Sequence, residues 1–359
     1  MKQPIVFDNI IYNLQKAGGI SAFWSQLTSR IAASGDFECF YIEYPGASDN
    51  IFRKELELPA SNIIKGKHLP FGIERLCEPW IPAKLLRRPF IFHSSYYRTF
   101  THPLAANVST FHDLTHELGG DGNMLTRSLM RMLHKRAIKS SGEIVCVSNN
   151  TLTDIQRFFP DSSSKRISVA YNAPVITSQS GNANEQGYLL YMGARDPYKH
   201  FDTAVEIAAA SGIAMKVIGA PFTAAENKMI KRSNATVTLI PYADALTSAK
   251  LYSGALCLLY LSEYEGFGIP IAEAQNYGCP VMTLRKSAIP EIAGEGAIYI
   301  DKPEAAEAIA ALERLSNTEF RTELIARGRA NAERFSWDTT ARHYAAVYRK
   351  LLREKSRQR

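Results

Sequence analysis

Short runs of consecutive apolar residues recur along the chain, each closed by glycine, proline or small polar residues. In the first half they fall at 5–8, 39–43, 91–93, 107–111, 144–148 and 167–170. In the second half they fall at 188–192, 214–218, 236–240, 257–261 and 280–283. Runs this short, without polar alternation, predict strands buried on both faces, as in parallel sheets. Amphipathic segments at 20–33, 124–139, 151–158, 201–210 and 337–352 predict helices, and Pro160 stops the third of them. Strands alternating with helices imply two successive doubly wound α/β units. Residues 176–187 are small and polar and read as a linker between them. The expected division is 1–178, 186–335 and a closing helical segment, 336–359. In such units ligands bind at the C-terminal ends of the strands, so two of them predict a cleft between domains.

Composition narrows this picture without changing it. A chain of 359 residues is too long for one ordinary domain. Hydrophobic residues at 46% and charged ones at 21% are ordinary for a globular protein. No apolar stretch reaches spanning length. The opening M-K-Q-P-I-V-F-D enters a strand with no apolar leader, so a cytoplasmic location is expected. Five scattered cysteines lack C-x-x-C spacing and predict reduced core residues, neither a disulfide frame nor a zinc site. The net charge of +7 is concentrated in the 124–139 segment and the C-terminus. That placement suits peripheral contact with an anionic membrane at the inner face of the cytoplasmic membrane. Nucleic acid is not expected, because no binding motif interleaves aromatics with the cations.

The chemistry-bearing residues cluster where predicted strands end. Ser262–Glu273 reads S-E-Y-E-G-F-G-I-P-I-A-E and follows an apolar strand. Gly266, Phe267 and Gly268 separate two carboxylates, Glu265 and Glu273, with backbone able to approach a ligand. Pro270 suits the start of a helix, with Glu273 in its first turn. Arg195 and Lys199, in G-A-R-D-P-Y-K, bring two cations to another strand end, enough to balance a diphosphate. Gly18 and Gly19 open a helix after the first strand, and His112 closes the strand V-S-T-F. No Asp-x-Asp pair is present, so no metal is expected and the cations must carry the anion's charge. His93, ending I-F-H-S-S-Y-Y, reads as structural.

With these residues in place the sequence resembles the retaining glycosyltransferases of family 4, of the GT-B fold, in particular bacterial members that build O-antigen or capsule. The resemblance rests on G-G-I-S at 18–21, F-H-S-S-Y-Y at 92–97, H-D-L at 112–114, G-A-R-D-P-Y-K-H-F at 193–201 and the Glu motif. It implies that Arg195, Lys199 and the Gly18–Gly19 backbone hold a donor diphosphate. Glu265 would meet the donor sugar's hydroxyls, Glu273 those of the ribose, and His112 the sugar near its reacting carbon. Residues 241–245 would pass near the base, and the closing helix would return to the first domain. The donor would be a GDP-, UDP- or dTDP-hexose, with mannose mildly favoured, and no further cofactor is implied. The acceptor would be a saccharide, or a lipid-linked one. His200 stands where Asn is usual, Ser94-Ser95 replace Pro-Thr, and Gln275-Asn276 are departures expected to reshape the donor pocket. A nucleotide-sugar epimerase, a phosphorylase and a non-catalytic nucleotide-sugar-binding protein remain alternatives at this level.

Overall fold

The computed structural model describes residues 2–67, 74–118, 123–176, 187–241 and 243–358. The chain forms two units, Met1–Asn172 with Trp337–Arg359, and Ala173–Ser336. Among the described residues the first holds a seven-stranded sheet of β1 (Gln3–Asp8), β2 (Phe37–Glu43), β3 (Ile63–Lys65), β4 (Phe90–Ser94), β5 (Ala105–Phe111), β6 (Ser141–Cys146) and β7 (Ile167–Val169). Their order is β3-β2-β1-β4-β5-β6-β7, and every pairing is parallel. The second unit holds six, β8 (Tyr188–Met192), β9 (Met215–Ile218), β10 (Val237–Ile240), β11 (Ala255–Tyr260), β12 (Val281–Leu284) and β13 (Ile298–Ile300). Their order is β10-β9-β8-β11-β12-β13, again all parallel. Two doubly wound parallel α/β units are therefore present, and the apolar runs are their central strands, as the lack of polar alternation requires.

The strand order reverses between β1 and β4 in one sheet and between β8 and β11 in the other. At such a switch point the two flanking loops diverge to opposite faces and leave a crevice at the C-terminal strand ends. The closing helix Trp337–Arg357 belongs to the first unit. It packs on the helix Gly19–Ala33 and on β4, β5 and β6. Most of its buried positions, Trp337, Thr340, Ala341, Tyr344, Ala345, Tyr348, Leu351 and Leu352, follow the three-and-four spacing of one helix face, with Val347 beside them. The Tyr348 hydroxyl lies 2.6 Å from His93 Nδ1, and the Tyr344 hydroxyl 2.8 Å from Thr110 Oγ1. His93 is fully buried, and burial, then the nearby His112, hold its imidazole down at about 3. His93 is a neutral link between sheet and helix.

Candidate active site

At the switch point of the second sheet, two loops are joined. Residues 193–200 leave β8 and residues 261–268 leave β11, and the Glu263 amide donates to the Tyr198 carbonyl at 2.9 Å. Lys199 and Glu265, far apart in sequence, meet there as an ion pair, Nζ to Oε1 at 2.7 Å, with both side chains mostly buried. Ser262 Oγ donates to the same oxygen at 2.8 Å. The Tyr260 hydroxyl, pushed well up by burial and then by the Glu265 charge, adds another hydrogen bond to that carboxylate. The Glu265 amide donates to Ser287 Oγ at 2.8 Å, which ties in the loop after β12. Ser287 holds a positive φ of 48° to do so. Tyr260 and Ser287 carried no signal in the sequence. Ser262, three residues before Glu265, was legible as the start of the motif.

Arg195 is placed differently from expectation. Its Nε donates to Glu226 Oε1 at 2.6 Å, and its Nη2 to Glu226 Oε2 at 3.3 Å and to the Pro221 carbonyl at 2.9 Å. The guanidinium also lies over the rings of Phe201 and Phe222, at 5.4 and 5.1 Å from their centroids. Glu226 is fixed in turn by a capping box with Thr223 at the start of the helix Ala224–Ser233. With its side chain only 7% exposed, Arg195 is held by this internal acid. Both expected phosphate cations are thus held by acids of the second unit, Arg195 by Glu226 and Lys199 by Glu265. The T-A-A-E spacing at 223–226 is a signal that could have marked a helix start, but nothing in the sequence pairs Glu226 with Arg195.

The helix Ile269–Asn276 begins at Gly268, whose φ of +93° falls in the region that favours glycine. Pro270 takes its second position, so Glu273 stands in the second turn, not the first. Burial raises the Glu273 carboxyl to about 7, opposed by hydrogen bonds from the Tyr252 hydroxyl (2.9 Å to Oε2) and the Val175 backbone. The Phe267 ring packs edge-on against Phe335 at 5.3 Å and is 4% exposed, so only its backbone and that of Gly266 and Gly268 can face a ligand. Gln275 is a second correction. It is 1% exposed, its Nε2 donates to the carbonyls of Ala293 and Gly296, and its Oε1 accepts from Asn331. It clamps helices together and does not shape a pocket. His200 stands at φ 50°, ψ 48°, a left-handed geometry that Asn and His tolerate better than most residues, so the change from Asn is neutral.

In the first unit, Gly18 precedes the helix Gly19–Ala33 in extended backbone, and a Cβ on Gly19 would meet no atom within 4 Å. A Cβ on Gly18 would instead fall 2.5 Å from Gln15 Oε1. His112, beyond the end of β5, stacks edge-on against Phe23 of the same helix at 4.7 Å. Burial lowers its imidazole to about 4, so it is neutral at ordinary pH. Ser94 and Ser95, in place of Pro-Thr, donate to the carboxylate and carbonyl of buried Asp8. Asp8 also pairs with Arg98 at 3.2 Å. In the 241–245 segment Tyr242 lies outside the described residues, as do 177–186 of the expected linker. Of the cysteines, all free, four are buried and Cys77 is exposed, contrary to a uniform core placement. Among the described residues no group of three or more His, Cys, Asp or Glu could hold a metal. No helix there is long and apolar enough to cross a membrane.

The chain is similar to several known proteins. Residues 172–332 match the family profile described as glycosyl transferases group 1. The chain is 26% identical over 372 residues to the O-antigen chain mannosyltransferase B of Escherichia coli, covering 93% of this chain and 96% of that one. Its fold is similar to sucrose-phosphate synthase from Thermosynechococcus elongatus, with a TM-score of 0.74 at 19% identity over 98% and 100% of the two chains. It is also similar to Anabaena HepE in complex with UDP-glucose, with a TM-score of 0.69 at 16% identity over 96% and 98%. The match to the group 1 glycosyl transferases spans nearly all of the second unit, and the two parallel-sheet units have the GT-B fold.

Proposed function

We propose that the protein is a retaining hexosyltransferase that uses a nucleotide diphosphate sugar, GDP-mannose first among candidates, and a saccharide acceptor carried on a lipid. The observation that carries this reading is the Lys199–Glu265 pair at the β8/β11 switch point. An ammonium has three N–H donors and Glu265 takes one, so an arriving diphosphate can share the cation without displacing the carboxylate. Glu265, oriented by Ser262 and Tyr260, then accepts from sugar hydroxyls, and Glu273 from the ribose. His112, neutral, can hydrogen-bond the sugar without adding charge. The mannosyltransferase likeness supports the sugar and the surface-polysaccharide role, and HepE with UDP-glucose supports the donor class.

In the proposed step the bond from the anomeric carbon to the diphosphate oxygen breaks as the acceptor oxygen bonds to the same face. The departing phosphate oxygen takes the acceptor's proton. Charge building on that oxygen is met by Lys199, without a metal, and an early electrostatic partner of this kind supplies much of the acceleration in charged reactions. The place of work would be the cytoplasm, at the membrane's inner face. Incubation with GDP-, UDP- and dTDP-hexoses and a saccharide acceptor, followed by NMR of the new anomeric proton, tests the reading. An inverted product, or epimerised donor in the absence of acceptor, overturns it.

A further inference from the structure

Glu273 is a carboxylate without a cation. Among the described residues no Lys, Arg or His forms an ion pair with it, and its partners are the Tyr252 hydroxyl at 2.9 Å and the Val175 amide. Tyr252 lies on the helix Ala245–Gly254 and is fully buried, while Glu273 stays partly exposed. That helix packs on β8, on β11 and on the helix Ile269–Asn276, so Tyr252 joins the two strands of the switch point to the element that carries Glu273. Its ring stacks on Tyr277 at 6.0 Å, and its hydroxyl also touches Met192 Sδ, at the end of β8, at 2.9 Å. A phenol has one proton, and a carboxylate accepts it better than a thioether. Burial and then the Glu273 charge push the phenol well up, so it stays a donor. Of the roughly four acceptor sites of a carboxylate, Tyr252 and Val175 take two and leave the others for a ligand.

We propose that Tyr252 is the positioning residue of ribose recognition: its hydroxyl fixes the Glu273 side chain so that the remaining acceptor sites meet the ribose hydroxyls of the donor nucleotide. The inference rests on the nucleotide-sugar reading above, which sets Glu273 against the ribose, and adds how that carboxylate is aimed. A long side chain with no cation to hold it loses affinity to its own ordering unless something else anchors it. The anchor belongs to a helix capped by Asp244, whose side chain accepts from the Thr247 amide. Asp244 lies in the 241–245 segment expected near the base, so base seat and ribose grip share one rigid element.

The test is calorimetry of the full-length protein with GDP, UDP and dTDP, and with the analogue of whichever binds that lacks its free ribose hydroxyls. In the wild type, loss of those hydroxyls should raise Kd at least about tenfold, as for hydrogen bonds to a charged group. Tyr252→Phe keeps the ring and its stacking. It should weaken the parent nucleotide about fivefold or more and leave the analogue within about twofold. A merely structural role would weaken both alike. In a Glu273→Ala background, Tyr252→Phe should no longer change affinity for the parent nucleotide. Should Tyr252→Phe not fold, 4-aminophenylalanine at position 252, which keeps the bond with a weaker donor, must show the same split in smaller measure. Equal wild-type affinity for nucleotide and analogue, an unchanged difference between them in the variant, or equal weakening of both overturns the proposal alone. If no nucleotide binds the wild type, the nucleotide-sugar reading falls and the proposal with it.

Discussion

A cation that meets charge only as the reaction proceeds should matter far more to rate than to folding. Lys199 is mostly buried, yet one acid holds it, and Lys199→Ala should lower kcat/KM by about two orders of magnitude or more. A change within twofold, in a folded variant, removes it from the mechanism. Arg195 should behave otherwise. Losing either partner of its ion pair with Glu226 should cost on the order of 2 kcal/mol in stability, since both side chains are largely buried. Glu226→Ala decides between roles. If Arg195 only braces the loop, stability and activity fall together. If it were a donor ligand, freeing it would leave donor affinity intact or stronger. Glu273 gives a prediction in pH. Its folded carboxyl, at about 7, is above the 4.5 of a free carboxyl, so the folded state binds more protons between those values. Its contribution is therefore fully present below about 4.5 and is lost as pH rises through 7. Glu273→Gln should flatten that part of the stability curve and raise the thermal midpoint at pH 8. Donor binding should run the opposite way, strengthening as pH rises through 7, because the ionised carboxylate is the better acceptor for ribose hydroxyls. A wild-type midpoint that is flat between pH 5 and 8 would refute the raised carboxyl.

Between elements, the second unit is locked by contacts that only backbone proximity reveals. The helices Ile269–Asn276 and Thr318–Ala332 meet through Gln275 and Asn331, and a Cβ on Gly296 would fall 2.5 Å from Gly328 Cα. Gly296→Ala should therefore destabilise by about 1–3 kcal/mol, because backbone must move to admit it. Gln275→Ala should cost a similar amount by leaving buried polar groups unpaired. Both should leave donor affinity unchanged in the folded fraction, and calorimetry of binding checks this. A specific loss of affinity in Gln275→Ala would return that residue to the pocket. These contacts also show what the chain does and does not declare. Central strands were legible because burial on both faces needs unbroken apolar runs. The edge strands Ile63–Lys65 and Ile298–Ile300 were too short to stand out. The helix Thr318–Ala332 was invisible because little of it is apolar and few positions are buried, Leu324, Gly328 and Ala332 among them. At the site, Lys199, Glu265 and Glu273 were legible from strand-end position and residue type. The capture of Arg195 by Glu226 depends on where a neighbouring helix starts in space, and the linear sequence does not encode that distance locally.

For the molecule as a whole, the chain leaves the first unit after Asn172 and returns to it at Trp337, so the second unit is a continuous insertion. The returning helix is structural to the first unit. Tyr344, Tyr348 and Leu352 are fully buried, and Trp337, Val347 and Leu351 nearly so. At roughly 1.5–3 kcal/mol for each large buried side chain, the helix contributes on the order of 10 kcal/mol, comparable to the whole stability of a typical domain. Residues 1–172 alone should then fail to fold, and removal of 337–359 from the full chain should unfold the first unit. Residues 173–336 keep their sheet, their Lys199–Glu265 pair and the hydrogen bonds of Gln275, so this fragment should fold by itself. If the donor contacts proposed above are right, the fragment should also be stabilised by the matching nucleotide. At a ligand concentration about 100 times Kd, the gain is about 2.7 kcal/mol, several degrees in thermal midpoint for a domain of this size. Circular dichroism of the two fragments, with and without GDP, UDP and dTDP, reads both outcomes. A folded 1–172 fragment would show that the returning helix is dispensable. A folded 173–336 fragment indifferent to all three nucleotides would place the donor's main contacts outside the second unit, and the Lys199 mechanism would fall with it.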